Sequence, residues 1–263
     1  MQMPPISPTW EPTRLTLQKY AQALTAAPRS AAQPDDRWTH VSMHPAASGF
    51  STARIALGDG SELISTLDIA RHQITVAAGA DVRSIALKPG PSPLSVGEAI
   101  TALAAEYGTD VGADASRYDD AGAQEYDPSD ALSWLENTRW LMNTFDEINA
   151  SISGEIAGPH LWPHGFDVAT EWFSSKTVEY NGSDASAQIA IGFYPAGDAY
   201  FYVNPWPFED AWAEAELPGG AVWHLDGWQG AKLMASDLGN GGDRDVVVAV
   251  ATAVHDLARD ALS

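Results

Sequence analysis

Near the start of the chain, Leu17, Tyr20 and Leu24 recur at helical spacing, so residues 13–24 are predicted to form an amphipathic helix. A second stripe, Trp134, Leu141, Phe145, Ile148 and Ile152, predicts a longer helix from about Ser129, with Pro128-Ser129-Asp130 as its start signal. After each helix the period drops to two. Residues 49–57, 63–69, 74–77 and 82–87 read as strands, divided by the Gly58-Asp59-Gly60 turn and by a turn containing Gly79. Residues 168–173, 188–194, 200–204 and 221–225 read likewise, and the apolar run 231–234 extends or pairs with the last of them. Both runs of strands close on a helix. The first, 95–107, is expected to be capped by Ser95 with Glu98 three residues on. The second, 244–262, is expected to turn Val247, Val250, Val254 and Leu257 inward.

The two runs share an order. Thr13-Arg14 aligns with Thr138-Arg139 and Tyr20 with Phe145, while Trp38-Thr39-His40 opens one set of strands and Trp162-Pro163-His164 the other. This predicts an α+β protein built from an internally duplicated helix–(antiparallel strands)–helix unit, with two antiparallel sheets and the helices on one face. The repeats span 1–108 and 128–263 and are expected to pack as one globular unit. The Asp-rich stretch 109–127 between them reads as an exposed connector.

Composition narrows the function classes. The 263 residues are 45% hydrophobic and only 19% charged, which supports a sizeable core and argues against disorder. Ten tryptophans supply many of its anchors. The balance of 14 basic to 35 acidic residues, a formal charge of −21, disfavours nucleic acid and anionic membrane surfaces as partners. There is no cysteine, so neither a disulfide framework nor a thiolate metal site is available. No basic-then-apolar leader pattern opens the sequence, and no apolar run approaches membrane-spanning length, so a soluble cytoplasmic protein is expected.

Protonatable groups concentrate in Gly158-Pro159-His160-Leu161-Trp162-Pro163-His164-Gly165-Phe166-Asp167. Asp167 between Phe166 and Val168 would be partly desolvated, which raises a carboxyl pKa toward the working range of an acid–base group, with His160 as its partner. The structural alternative is that Asp167 accepts backbone N–H bonds from the turn. His40, His44, His160, His164, Asp167, His224 and Asp226 are ligands of suitable type for a metal, but no spacing among them is diagnostic, and no metal site is assigned. No cofactor is specified by any motif. Nucleophile elbows and phosphate loops are absent, and Gly239-Asn240-Gly241-Gly242 ahead of a helix is offset by Asp243 and Asp245, which read as helix caps. A second candidate is the aromatic run containing Tyr194, Tyr200, Tyr202 and Trp206, whose rings suit the lining of an apolar pocket or packing between the halves.

Several stretches together resemble the bacterial domain-of-unknown-function family five-nine-nine-six. They are Trp38-Thr39-His40-Val41, Gly49-Phe50-Ser51-Thr52, Leu67-Asp68-Ile69, His160 with Phe166-Asp167-Val168-Ala169, Phe173-Ser174, Ala199-Tyr200-Phe201-Tyr202 and Ala221-Val222-Trp223. Members of that family tend to be longer, and the pair aligned with His164-Gly165 varies among them, so the resemblance supports His160 more than His164. The family carries no activity and implies no mechanism. The expected function is therefore binding of a small-molecule ligand in an aromatic-lined cleft, with His40, Trp162, His164, Tyr194, Tyr200, Tyr202 and Trp206 as its lining. The alternative is a small-molecule enzyme using His160 and Asp167, with or without a metal.

Overall fold

In a computed structural model, which describes residues 2–112, 114–238 and 243–263, the chain divides into two compact units. The N-terminal unit comprises Ile6–Glu136 together with His160–Phe166. The C-terminal unit comprises Met1–Pro5, Asn137–Pro159 and Asp167–Ser263.

The N-terminal unit opens with helix α1 (Trp10–Ala31), followed by a 3-10 turn at Thr39–Val41. Six strands come next: β1 (Met43–Ala46), β2 (Gly49–Thr52), β3 (Ile55–Ala56), β4 (Glu62–Asp68), β5 (Gln73–Ala78) and β6 (Asp81–Ala86). Helix α2 (Pro93–Glu106) and the beginning of α3 (Pro128–Ser151) complete it. The expected α1 stripe is inside: Leu17, Tyr20 and Leu24 are fully buried. Side chains alternate across the pleat, so one cross-strand row is Phe50, Leu67 and Ile74, all buried, while the adjacent row is Ser51, Thr66, Thr75 and Ser84, half-buried or exposed. The cap of α2 lies three residues earlier than its sequence suggests. Ser92, not Ser95, is the N-cap, and its side chain accepts from the Ser95 amide, with Pro93 in the first turn.

The acidic stretch 109–127 is mostly exposed among its described residues, but it is pinned at a few points. Val111 and Tyr118 are buried, the Lys19 ammonium pairs with Asp120 at 2.5 Å, and the Thr16 hydroxyl donates to the Glu125 carbonyl. Charge made this segment look solvated, but its few apolar residues have a helix surface to cover.

The C-terminal unit holds the rest of α3, the first part of β7 (Glu155–Trp162, whose residues from His160 on belong to the N-terminal unit), β8 (Asp167–Tyr180), β9 (Ser183–Tyr194), β10 (Tyr200–Trp206), β11 (Val222–His224), β12 (Gly230–Met234) and α4 (Asp243–Leu262). One sheet face, with Phe193, Ile191, Phe201, Val203 and Leu233, lies under Val247 and Val250 of α4. Val254 is also buried, but Leu257 is 36% exposed; Ala258 continues the inward stripe in its place. Asp243 accepts a hydrogen bond from the Met3 amide at 3.1 Å and is buried. The glycine-rich 239–242 segment lies outside the described residues.

The hydrogen-bonded strand order is β11-β12-β10-β9-β8-β7-β1-β2-β4-β5-β6, with β3 on β4. This corrects the expected two sheets to one of twelve strands. The reason is β7, whose Gly158-Pro159 punctuation reads as a turn although residues 155–162 are extended and Leu161 pairs with Met43 of β1. Unpaired edges are thereby avoided in the middle of the chain. The two Trp-x-His segments also differ in setting: Trp38 adopts a left-handed conformation before a 3-10 turn, whereas Trp162 ends a strand. Among the described residues no helix is long and apolar enough to cross a membrane.

Gly97 gives a sharp test of how the 109–127 segment packs. A Cβ there would lie 2.3 Å from the Tyr118 ring. Gly→Ala inside a helix ordinarily stabilises by about 1 kcal/mol. Here overpacking costs about 1–3 kcal/mol and wins, so Gly97→Ala is expected to lower the midpoint of denaturant unfolding, whereas a loose connector would let it rise.

Candidate functional site

In the C-terminal unit, α3 and α4 cover one sheet face: Thr170 donates to Asn149 of α3, and the Trp140 ring of α3 meets Phe201. The opposite face carries Asp167 and Glu171 of β8, Tyr194 and Gly192 of β9, Tyr200, Tyr202 and Asn204 of β10, Lys232 of β12 and His224 of β11. Tyr194 pairs with Tyr200 across the strands, their ring centroids 5.4 Å apart. The turn between β11 and β12 sets Trp228 parallel to Tyr200 at 6.0 Å and against His224 at 4.4 Å. Lys232 holds its ammonium 4.4 Å over the Tyr200 ring, and among the described residues it makes no ion pair. All of these rings are half-buried, so their edges reach solvent.

One deliberate absence shapes this face. Tyr202 lies across Gly192, where a Cβ would come within 2.3 Å of its ring, and its hydroxyl reaches Asp167 Oδ2 at 2.5 Å. Burial, and then the Asp167 carboxylate, push the Tyr202 pKa well above its ordinary value, so the phenol keeps its proton and its hydroxyl donates a hydrogen bond to Asp167. Tyr200 is shifted upward too, by burial and by Tyr194. A small cavity under the sheet, lined by Ile191, Phe201, Val203, Leu233, Val247 and Val250, measures about 10 Å³. That is room for about one water, not for a metabolite.

Five of the seven histidines, His40, His44, His72, His160 and His164, belong to the N-terminal unit. Asp35 caps the 3-10 turn: Oδ1 accepts from the Arg37 and Thr39 amides, and Oδ2 from the Thr39 hydroxyl and the His40 amide. Burial opposes its charge, but the hydrogen bonds from Thr39 and His40 outweigh it and hold the carboxyl well below the usual range. His40 Nδ1 stands 3.1 Å from Asp35 Oδ2 and 3.4 Å from the Asp35 amide nitrogen, so Asp35 fixes the orientation of the imidazole. Because Met43 pairs with Leu161 in antiparallel register, His44 and His160 are cross-strand neighbours, with ring centroids 5.1 Å apart. His160 is 6% exposed, and neither ring nitrogen has a hydrogen-bond partner. Burial, with the neighbouring His44, lowers its pKa to about 4 against the pull of Asp35. Burial likewise lowers His44.

Phe166 anchors the turn that follows β7, the strand that carries His160. It is fully buried against Trp10 and Trp134, at centroid distances of 6.3 and 6.0 Å, despite a left-handed backbone at φ 61°. Its amide donates to the Trp162 carbonyl at 2.8 Å, closing the turn, and Gln18 of α1 donates to the His164 carbonyl.

The sequence-derived candidates fall in both units. Tyr194, Tyr200 and Tyr202 come together with Asp167 in the C-terminal unit. His160, Trp162 and His164 form a chain of ring contacts in the N-terminal unit, and His40 packs on Trp38. Trp206 stands four residues beyond Tyr202 and packs on Tyr180 instead. His160 belongs to the N-terminal unit, where neither of its ring nitrogens has a hydrogen-bond partner, and Asp167 belongs to the C-terminal unit. Three participants escape a sequence reading: Asp35, Trp228 and Lys232. Asp35 has a local signal, an Asp ahead of Thr39 in a capping arrangement. Trp228 follows an Asp-Gly pair of hairpin type. Lys232 has none.

A histidine whose folded pKa lies below its unfolded value takes up a proton on unfolding. Its contribution is intact above pH 6.5, is lost as pH falls from 6.5 toward about 4, and then levels off. His160→Asn is expected to remove up to ~3 kcal/mol of that acid-side loss, read as a flatter dependence of unfolding free energy on pH.

No curated protein and no solved structure is significantly similar to this chain. The model of a family described as Family of unknown function (DUF5996) matches residues 4–234, a span that includes both clusters of side chains. The chain belongs to that family.

Proposed function

We propose that this protein binds a small, hydroxyl-rich ring molecule on the open face of the C-terminal sheet. The observation that carries this reading is Lys232: a cation with no acidic partner among the described residues, in a chain of charge −21, held over Tyr200 beside the Asp167–Tyr202 pair. An ammonium donor, a carboxylate acceptor and aromatic edges suit a neutral ligand that both donates and accepts and offers one apolar ring face. A polyanion would meet Asp167 and Glu171 on the same face. Exposed aromatic surface of this kind also carries a solubility cost that a ligand site accounts for. His40, Trp162 and His164, expected from sequence to share the lining, stand in the other unit.

The competing reading is catalysis by His160 and Asp167. In its favour, burial lowers the His160 pKa, and neither of its ring nitrogens is taken up by a hydrogen bond. The Asp35–His40 pair, however, shows the geometry that orients an imidazole for acid–base work, and Asp167 is engaged by Tyr202.

Ligand-observed saturation-transfer NMR with a panel of neutral mono- and disaccharides tests the binding reading. Transfer is expected with the unaltered protein and lost in Trp228→Ala and Lys232→Met, both at the rim of the sheet. Absence of transfer across the panel would falsify it. Gly192→Ala is expected to drive the Tyr202 ring off Asp167, costing about 1–3 kcal/mol of stability and weakening saccharide binding together.

A further inference from the structure

We propose that His44 and His160 form a binding site for a divalent first-row transition ion of the zinc or copper type. The two side chains come from adjacent antiparallel strands, β1 and β7, and project from the same sheet face. Their ring centroids are 5.1 Å apart. Two imidazoles sharing one tetrahedral ion, with metal–nitrogen bonds of about 2.0–2.1 Å, have centroids about 5 Å apart.

The independent observation is the state of His160. It is 94% buried, as its 6% exposure implies, and both ring nitrogens lack a hydrogen-bond partner. Burying a polar group without a partner is costly, and a metal bond to one nitrogen offsets that cost. Neutral imidazoles select zinc, copper or nickel over calcium and magnesium, which prefer oxygen. Among the described residues no third His, Asp or Glu completes a ligand set, so the remaining coordination positions are left to water. Asp35 stands close enough for its charge to be felt by both rings, and it favours a cation there.

The test is equilibrium dialysis of the chelator-treated full chain against zinc chloride, with excess calcium present to occupy surface carboxylates. One retained equivalent of zinc is expected, with affinity at least tenfold weaker in His44→Asn, a change at a half-exposed residue. Paramagnetic NMR on the unaltered protein provides a second readout that needs no folded His160 variant. Substoichiometric copper should broaden the imidazole signals of His44 and His160 before those of His72, His164 and His224. No zinc retained under calcium, unchanged affinity in His44→Asn, or earlier broadening of the other histidines overturns the proposal.

Discussion

The pleat of the antiparallel sheet is the constraint on which everything else depends. Successive side chains point to opposite faces, so a strand that buries Phe201 and Val203 under α4 must present Tyr200, Tyr202 and Asn204 to the other side. Helices supply cover on one face. The residues on the opposite face are then free to be chosen for solubility or for chemistry. Across β2, β4, β5 and β6 that face is a row of Ser and Thr, as a solvated face ordinarily is. Across β8 to β12 it is instead tyrosine, tryptophan, a lysine and buried carboxylates. That difference in composition at equivalent positions of the pleat marks the second face as specialised.

A similar logic governs the loop after β7. Phe166 holds a left-handed backbone that costs a non-glycine residue of order 1–3 kcal/mol. Its ring fills the space between Trp10 and Trp134, and that burial more than offsets the strain. The turn it closes fixes Trp162, and with it the strand end that sets His160 beside His44. A hydrophobic anchor thus positions a polar group that gains no hydrogen bond from its surroundings. Position 160 is costly as histidine and would be cheap as leucine, so the fold alone gives no reason for the imidazole.

The helices and most strands were legible because their signals are local. The spacing of Leu17, Tyr20 and Leu24 needs only a 3.6-residue period, and the alternation in 63–69 and 74–77 only a period of two. Where local signals competed, the reading failed. Gly158 and Pro159 outweighed the extended geometry of β7, the many aspartates hid the burial of Val111 and Tyr118, and Leu257 fell off a stripe that Ala258 continues. The role of Asp35 was within reach, since its partners Thr39 and His40 are near neighbours in sequence. The partnership of His44 with His160 was not, because it depends on a strand pairing between segments far apart in the chain.

What the sequence determined by itself is which residues turn inward, since that follows from the period of each element and the cost of exposing apolar surface. It also identified the family and the aromatic character of Tyr194, Tyr200 and Tyr202. Only the tertiary structure decided which polar groups meet. It joined the strands in one sheet, gave Asp167 to Tyr202, and set Lys232 over Tyr200. The physical reason is register: a shift of one residue in any pairing would send each of these side chains to the other face, and no local pattern in the chain records that choice.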